Sequence, residues 1–181
     1  MPSTTGAMPD LISFPPSDQK EQGSRELALA WQSLVDSGMT MAQPKADQLL
    51  QLGLTQSPND PALLSALGYS AQRRGDYTNA RSLYARALQS DPESIDAATN
   101  LGVLDATQGH PEQAIQLWQN AFRRAPGRSQ IGMNLARLFC QTGQFQGARD
   151  AVRLVLRFNP DLTSAKMMLN ALNANPTQCA P

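Results

Sequence analysis

Residues 63–92 read LLSALGYSAQRRGDYTNARSLYARALQSDP, and the fold is decided there. Leu64, Leu67, Gly68 and Ala71 share one face of a first helix, predicted over residues 61–74. Asp60 is a good N-cap for it, and Pro61 suits a first turn, where a missing N–H loses no intrahelical bond. Gly75 ends the helix at a point where left-handed backbone is often needed and costs glycine little. Asp76 can cap a second helix over residues 77–89, whose inner face carries Ala80, Tyr84, Ala87 and Leu88. Pro92 then blocks continuation. Gly68 lets the second helix come close, because a larger side chain there would push the two apart. The stretch is a helical hairpin.

Outward from it, the same residue types return every 34 positions: Leu67, Leu101, Leu135 and Leu169; Gly75, Gly109 and Gly143; Ala80, Ala114 and Ala148; Pro58, Pro92, Pro126 and Pro160. Tyr84, Trp118 and Val152 share a further column, as do Leu88, Phe122 and Leu156. Units 61–94, 95–128 and 129–162 align without insertion or deletion. A hairpin of this size cannot bury its apolar face alone, so such units stack, each covering the next. Ala98 and Gly132 stand where the first unit has Leu64, so looser packing is expected beside them. Residues 24–60 read as a degenerate hairpin, with Leu27, Ala30, Trp31 and Leu34 on one helix and Ala46, Leu49 and Leu50 on the next. Its spacing is about three residues too long, as terminal units are often atypical. Residues 163–173 read as a single capping helix, and 1–23 and 174–181 as mobile tails.

The quoted run, with AATNLGVLDATQGHPEQAIQLWQNAFRRAP (97–126) and GMNLARLFCQTGQFQGARDAVRLVLRFNP (132–160), resembles the tetratricopeptide repeat (TPR) family. That resemblance covers about 100 residues strictly. It implies an all-α fold, a right-handed α-α superhelix with three regular repeats, a degenerate N-terminal hairpin and a C-terminal cap. It also implies a protein or peptide partner, because the family binds very different proteins on one scaffold. The third unit and its cap are similar to repeat tails of some exported bacterial accessory proteins, associated with multihaem cytochromes, pili or secretion.

Fifteen basic and fifteen acidic residues cancel, which argues against general nucleic-acid affinity. Their placement is uneven. Through Asn120 seven Lys and Arg face thirteen Asp and Glu, and from Ala121 onward eight face two, a formal −6 and +6. The two halves therefore offer surfaces of opposite sign, and self-association stays open. No stretch approaches the roughly 18 apolar residues of a membrane span. Met1 to Ser24 lacks the basic leader and apolar core of a secretion signal.

Chemistry is sparse. His110, the one histidine, falls in the turn between two helices. Cys140 and Cys179 sit in no CxxC or Cys/His cluster, and the glycines occupy turns and helix contacts, so no metal, cofactor or catalytic residue is expected. A disulfide between Cys140 and Cys179 is within reach across the groove edge; two unpaired thiols are the alternative. Such a bond would point to an exported protein; the compartment is otherwise unknown.

First helices line the concave wall of a stacked array. On that wall the expected peptide-binding residues are Tyr69, Arg73, Asn100, Val103, Met133, Asn134 and Arg137, with Ser65 beside them and an apolar island at Val103, Met133 and Met167. In peptide-binding relatives, asparagine before the Leu-Gly pair holds a ligand backbone, which the resemblance carries to Asn100 and Asn134. A convex row, Arg149, Arg153 and Arg157, is the expected partner-docking surface. The reading is a non-enzymatic binding module using its groove. The alternative is an accessory or spacer domain of a larger assembly, docking through its ends or its basic convex face.

Overall fold

The structure, a computed structural model, describes residues 43–175, with side chains from Asp47 onward. Among the described residues there are eight helices and no strand: α1 (Gln43–Gln56), α2 (Pro61–Arg73), α3 (Tyr77–Ser90), α4 (Ile95–Thr107), α5 (Pro111–Arg124), α6 (Ser129–Gln141), α7 (Phe145–Phe158) and α8 (Thr163–Ala174). Each packs on the helices before and after it, and α2 also reaches α4 directly. That contact between alternate helices marks the first-helix side as the inner side of the curve.

Helix limits repeat with the sequence. The second helices α1, α3, α5 and α7 begin at 43, 77, 111 and 145, each 34 residues after the last. So α1 stands in register with its successors, and Leu50, Tyr84, Trp118 and Val152 form one column, buried at 0, 0, 4 and 0% exposure. The expected excess of three residues in the N-terminal hairpin does not arise in its second helix. Residues 24–42, on which the rest of that expectation falls, lie outside the described residues, as do the expected first helix and both expected tails apart from Ala174 and Asn175.

The turns inside the hairpins close on Gly75, Gly109 and Gly143, with φ of 80°, 82° and 75°, the left-handed region that favours glycine. Asp60 Oδ1 accepts the amides of Ala62 and Leu63 at 2.9 and 3.1 Å, capping α2. Helix contact is tight where the column has glycine. A Cβ on Gly102 would lie 2.8 Å from Trp118 Cδ1, and one on Gly68 2.6 Å from Tyr84 Cε1. Both large rings therefore lie over a bare backbone and bury a polar end as well. Trp118 Nε1 donates to the Thr99 carbonyl at 3.0 Å, and the Tyr84 hydroxyl to Gln72 Oε1 at 3.0 Å, as such rings require when buried.

The expectation of looser packing at Gly132 is overturned. A Cβ there would meet Phe122 Cζ at 2.5 Å, because Phe122 and Val155 fill the space a leucine would have taken. Ala98 differs: it borders an open void of about 380 Å³. At the C-terminal end, Asn170 stands in the column of Gly68, Gly102 and Ala136 and is exposed. The face on which another second helix would dock closely is thus polar, which suits α8 as a cap.

Candidate functional site

The inner wall is set by the four first helices, whose equivalent residues recur every 34 positions. In the column of Tyr69, Val103 and Arg137 the first two are half-buried and Arg137 is exposed. Asn100 and Asn134 are half-buried beside it. Arg73, Thr107 and Gln141 form an exposed edge one turn on. Arg137 Nη1 donates to Asn134 Oδ1 at 3.2 Å, which orients that amide along the wall. The strip mixes amide, guanidinium and short apolar groups, and it carries no carboxylate between Tyr69 and Arg137 in these columns. It can exchange backbone hydrogen bonds and hold apolar side chains.

Two expected members lie elsewhere. Met133 is 5% exposed and belongs to the main apolar core; its flexible thioether fills a gap beneath the wall. Ser65 is 4% exposed, its hydroxyl donating to the Pro61 carbonyl at 2.6 Å. Met167 is 66% exposed, so the expected apolar island is divided. Spacing placed these residues on the right helices, but each helix is rolled so that their column faces the neighbouring hairpin.

The convex row is also altered. Arg149 is half-buried and donates to the Leu172 carbonyl at 3.0 Å, clasping the last turn of α8, where an arginine suits exposed carbonyls. Arg153 pairs with Asp150 at 3.5 Å on the surface. Arg157 is exposed. Arg149 is therefore a structural clasp, and the row is shorter than the four-residue spacing suggested.

A column that sequence reading missed is Asp47, Arg81, Ile115 and Arg149. Each member reaches from a second helix to the end of the next first helix. Asp47, 7% exposed, accepts from the Ser70 hydroxyl at 2.7 Å and pairs with Arg74. Arg81 pairs with the buried Asp105 at 2.6 Å and donates to Gln108 at 2.7 Å. The Asp105 contact is close in distance without being aligned as a hydrogen bond, so Oδ1 is charge-matched but lacks a directed donor. At the third step Ile115 stands opposite Phe139 in an apolar core. Lining up the columns for charge as well as for size would have found it.

Burial pushes the Tyr84 phenol well above the ordinary tyrosine range, and nearby Tyr69 adds to this. His110 is exposed and precedes α5 without a side-chain cap bond. Among the described residues, no three His, Cys, Asp or Glu side chains gather as metal ligands, and no helix is long and apolar enough to cross a membrane. Cys140, in the inner-wall column of Gln72 and Ala106, is disulfide-bonded. The chain's other cysteine, Cys179, lies outside the described residues.

The family described as tetratricopeptide repeat matches residues 71–119 and 105–172. The anaphase-promoting complex subunit CDC16 of Saccharomyces cerevisiae is 28% identical over 140 residues, which is 73% of this chain and 17% of that protein. This chain thus spans about a sixth of that relative. Among solved structures, pilF of Pseudomonas aeruginosa superposes with a TM-score of 0.73 at 23% identity, covering 88% of this chain and 70% of that one. MamA of Desulfovibrio magneticus gives 0.65 at 18%, covering 91% and 88%. At these identities the two structures speak for the fold alone: a solenoid of helical repeats.

Proposed function

Because this chain belongs to the tetratricopeptide repeat family, typically a non-enzymatic scaffold for protein–protein interaction, we propose that it binds a peptide or partner domain along its inner wall. The observation that carries the reading is the strip of Tyr69, Val103 and Arg137, spaced 34 residues apart and flanked by Asn100 and Asn134. Three alternate helices, α2, α4 and α6, present it, and the asparagines have the donor and acceptor needed to hold an extended backbone. Arg73 and Arg137 add positive charge at either end, favouring a segment that carries a carboxylate.

The test is partner recovery from the native source with Asn100→Ala and Asn134→Ala combined, compared by titration with the unaltered chain. A loss of tenfold or more, with the helical circular dichroism unchanged, is expected. Full retention of affinity would defeat the groove.

A second reading is favoured by the opposed charges of the two halves: an accessory or spacer domain that docks by its ends. The yeast relative is by name a subunit of a larger complex, a setting that suits this reading too. Here Arg153→Glu with Arg157→Glu would weaken assembly while the asparagine pair would not.

A further inference from the structure

On the outer face, away from that strip, the furrow between α5 and α7 opens over aromatic side chains. In the preceding pair, α3 and α5, the same columns carry Gln113 on the rim and Asp105 on the floor, where Asp105 pairs with Arg81. One unit later they carry Gly147 and Phe139. A Cβ on Gly147 would lie 3.1 Å from Phe139 Cδ2, so the ring sits directly beneath a residue with no side chain to cover it. The result is a well of about 520 Å³, floored by Phe122, Leu135 and Phe139 and walled by Ala151 and Leu154. On the other flank of α5 lies the void of about 380 Å³ beside Ala98, lined also by Leu88, Ile95 and Leu117. Asn120 and Arg123 border both.

α5 is therefore a ridge with a well on each side, apolar at its floor and polar at its rim, where Asp150 borders the larger and Glu93 the smaller, and with an arginine on its crest. The wells stand roughly one helix diameter apart, about 10 Å, the reach of about three residues of extended chain. Charge says what would cross. Arg124 pairs with Glu93 at 2.7 Å, Arg128 with Asp96 and Arg153 with Asp150. Arg149 is held by the Leu172 carbonyl. Arg123 donates to Asn120 Oδ1, and among the described residues no carboxylate pairs with it. It also lies in the half of the chain that carries the formal +6.

We propose that the α5 ridge is a second docking surface, separate from the inner wall, for an acidic peptide segment. That segment places one bulky apolar side chain in each well and a carboxylate between them on Arg123. Burial of two such side chains supplies the affinity, and Arg123 supplies sign and register. Gly147 is the specificity element: glutamine at that column, as in the preceding unit, closes the larger well.

A random dodecapeptide phage library panned on the full chain tests this. The expected enrichment is for two apolar residues bracketing Asp or Glu. Binding of the enriched peptides should fall at least tenfold with Gly147→Gln and with Arg123→Glu, and should be unchanged by Asn100→Ala with Asn134→Ala. Arg123 is exposed, so its replacement leaves the packing intact and reads charge alone. No enrichment, enrichment of basic peptides, or binding indifferent to both replacements would overturn the proposal. So would light scattering that shows a dimer abolished by Gly147→Gln, since the occupant would then be a second copy of this chain.

Discussion

The first and third units are built on the same columns but are held together differently. Around the first, the buried apolar residues fall into small separate groups: Leu50, Leu63, Ala66 and Leu67; Ala71, Ala80, Tyr84 and Leu104; and Leu64, Ala87 and Ala97. Between them run the Asp47–Ser70–Arg74 cluster and the Arg81–Asp105 pair. From Ala98 to Leu172 the core is one continuous cluster that includes Trp118, Phe122, Phe139 and Val155. The same position between hairpins thus accepts a carboxylate, an arginine or an isoleucine, because its demand is a partner matched in charge and volume. Where the match is ionic the core is interrupted; where it is apolar the core runs through.

Unequal stability along the array follows, and the largest effect should come from the continuous core. Phe122→Ala should cost about 3–5 kcal/mol, read as a shift in the denaturant midpoint. Leu135→Ala, in the same cluster, should in turn cost more than the identical truncation at Leu67, its equivalent in the small group with Leu50 and Leu63. Equal costs would erase the contrast between the units.

A smaller effect is expected at the ionic joint. Asp105→Ala removes a buried carboxylate from Arg81, which is exposed enough to rehydrate, so the cost should be about 1–2 kcal/mol. Installing the later set, Arg81→Ile with Asp105→Phe and Gln113→Gly to clear the ring, should recover most of that loss, since a packed apolar pair often equals or exceeds a buried ion pair. Amide exchange in α2 and α3 should slow at the same time. A combined variant less stable than Asp105→Ala would show that the ionic joint is required in its place.

The smallest effect is confined to alkaline solution. The phenol of Tyr84 is held protonated in the fold, its pKa raised mainly by burial, while an unfolded tyrosine ionises near about 10. Below that pH the contribution is fully present; above it the unfolded state loses its proton first, and stability falls as pH rises. Tyr84→Phe should therefore flatten the decline in melting temperature above about pH 10, at a modest cost near neutrality from the lost bond to Gln72. An identical decline in both proteins would assign the alkaline loss to other groups.

Much of this was legible beforehand. The 34-residue columns located the hairpins, the Asp60 cap and the three glycine turns, and they named Gly68 as a close-contact position. Gly132 was misread because a missing side chain was taken as a gap, whereas Phe122 and Val155 from neighbouring helices fill it. Met133 was misread because helical spacing gives the relative direction of side chains on one helix, but not the roll of that helix against its neighbours. The register of α1 is hidden when the hairpin is counted from residue 24, but Ala46 and Leu50 keep the columns of Ala80 and Tyr84.

Sequence by itself determined the repeat, its period and the stacking that follows, because apolar groups at a fixed interval have no other way to leave water than against the next copy. Only tertiary structure decided which equivalent positions stay open. Arg149 is engaged on the last turn of α8 and Arg123 is left on a crest, a distinction made by what lies across each helix, and neither residue's own neighbours in the chain encode it.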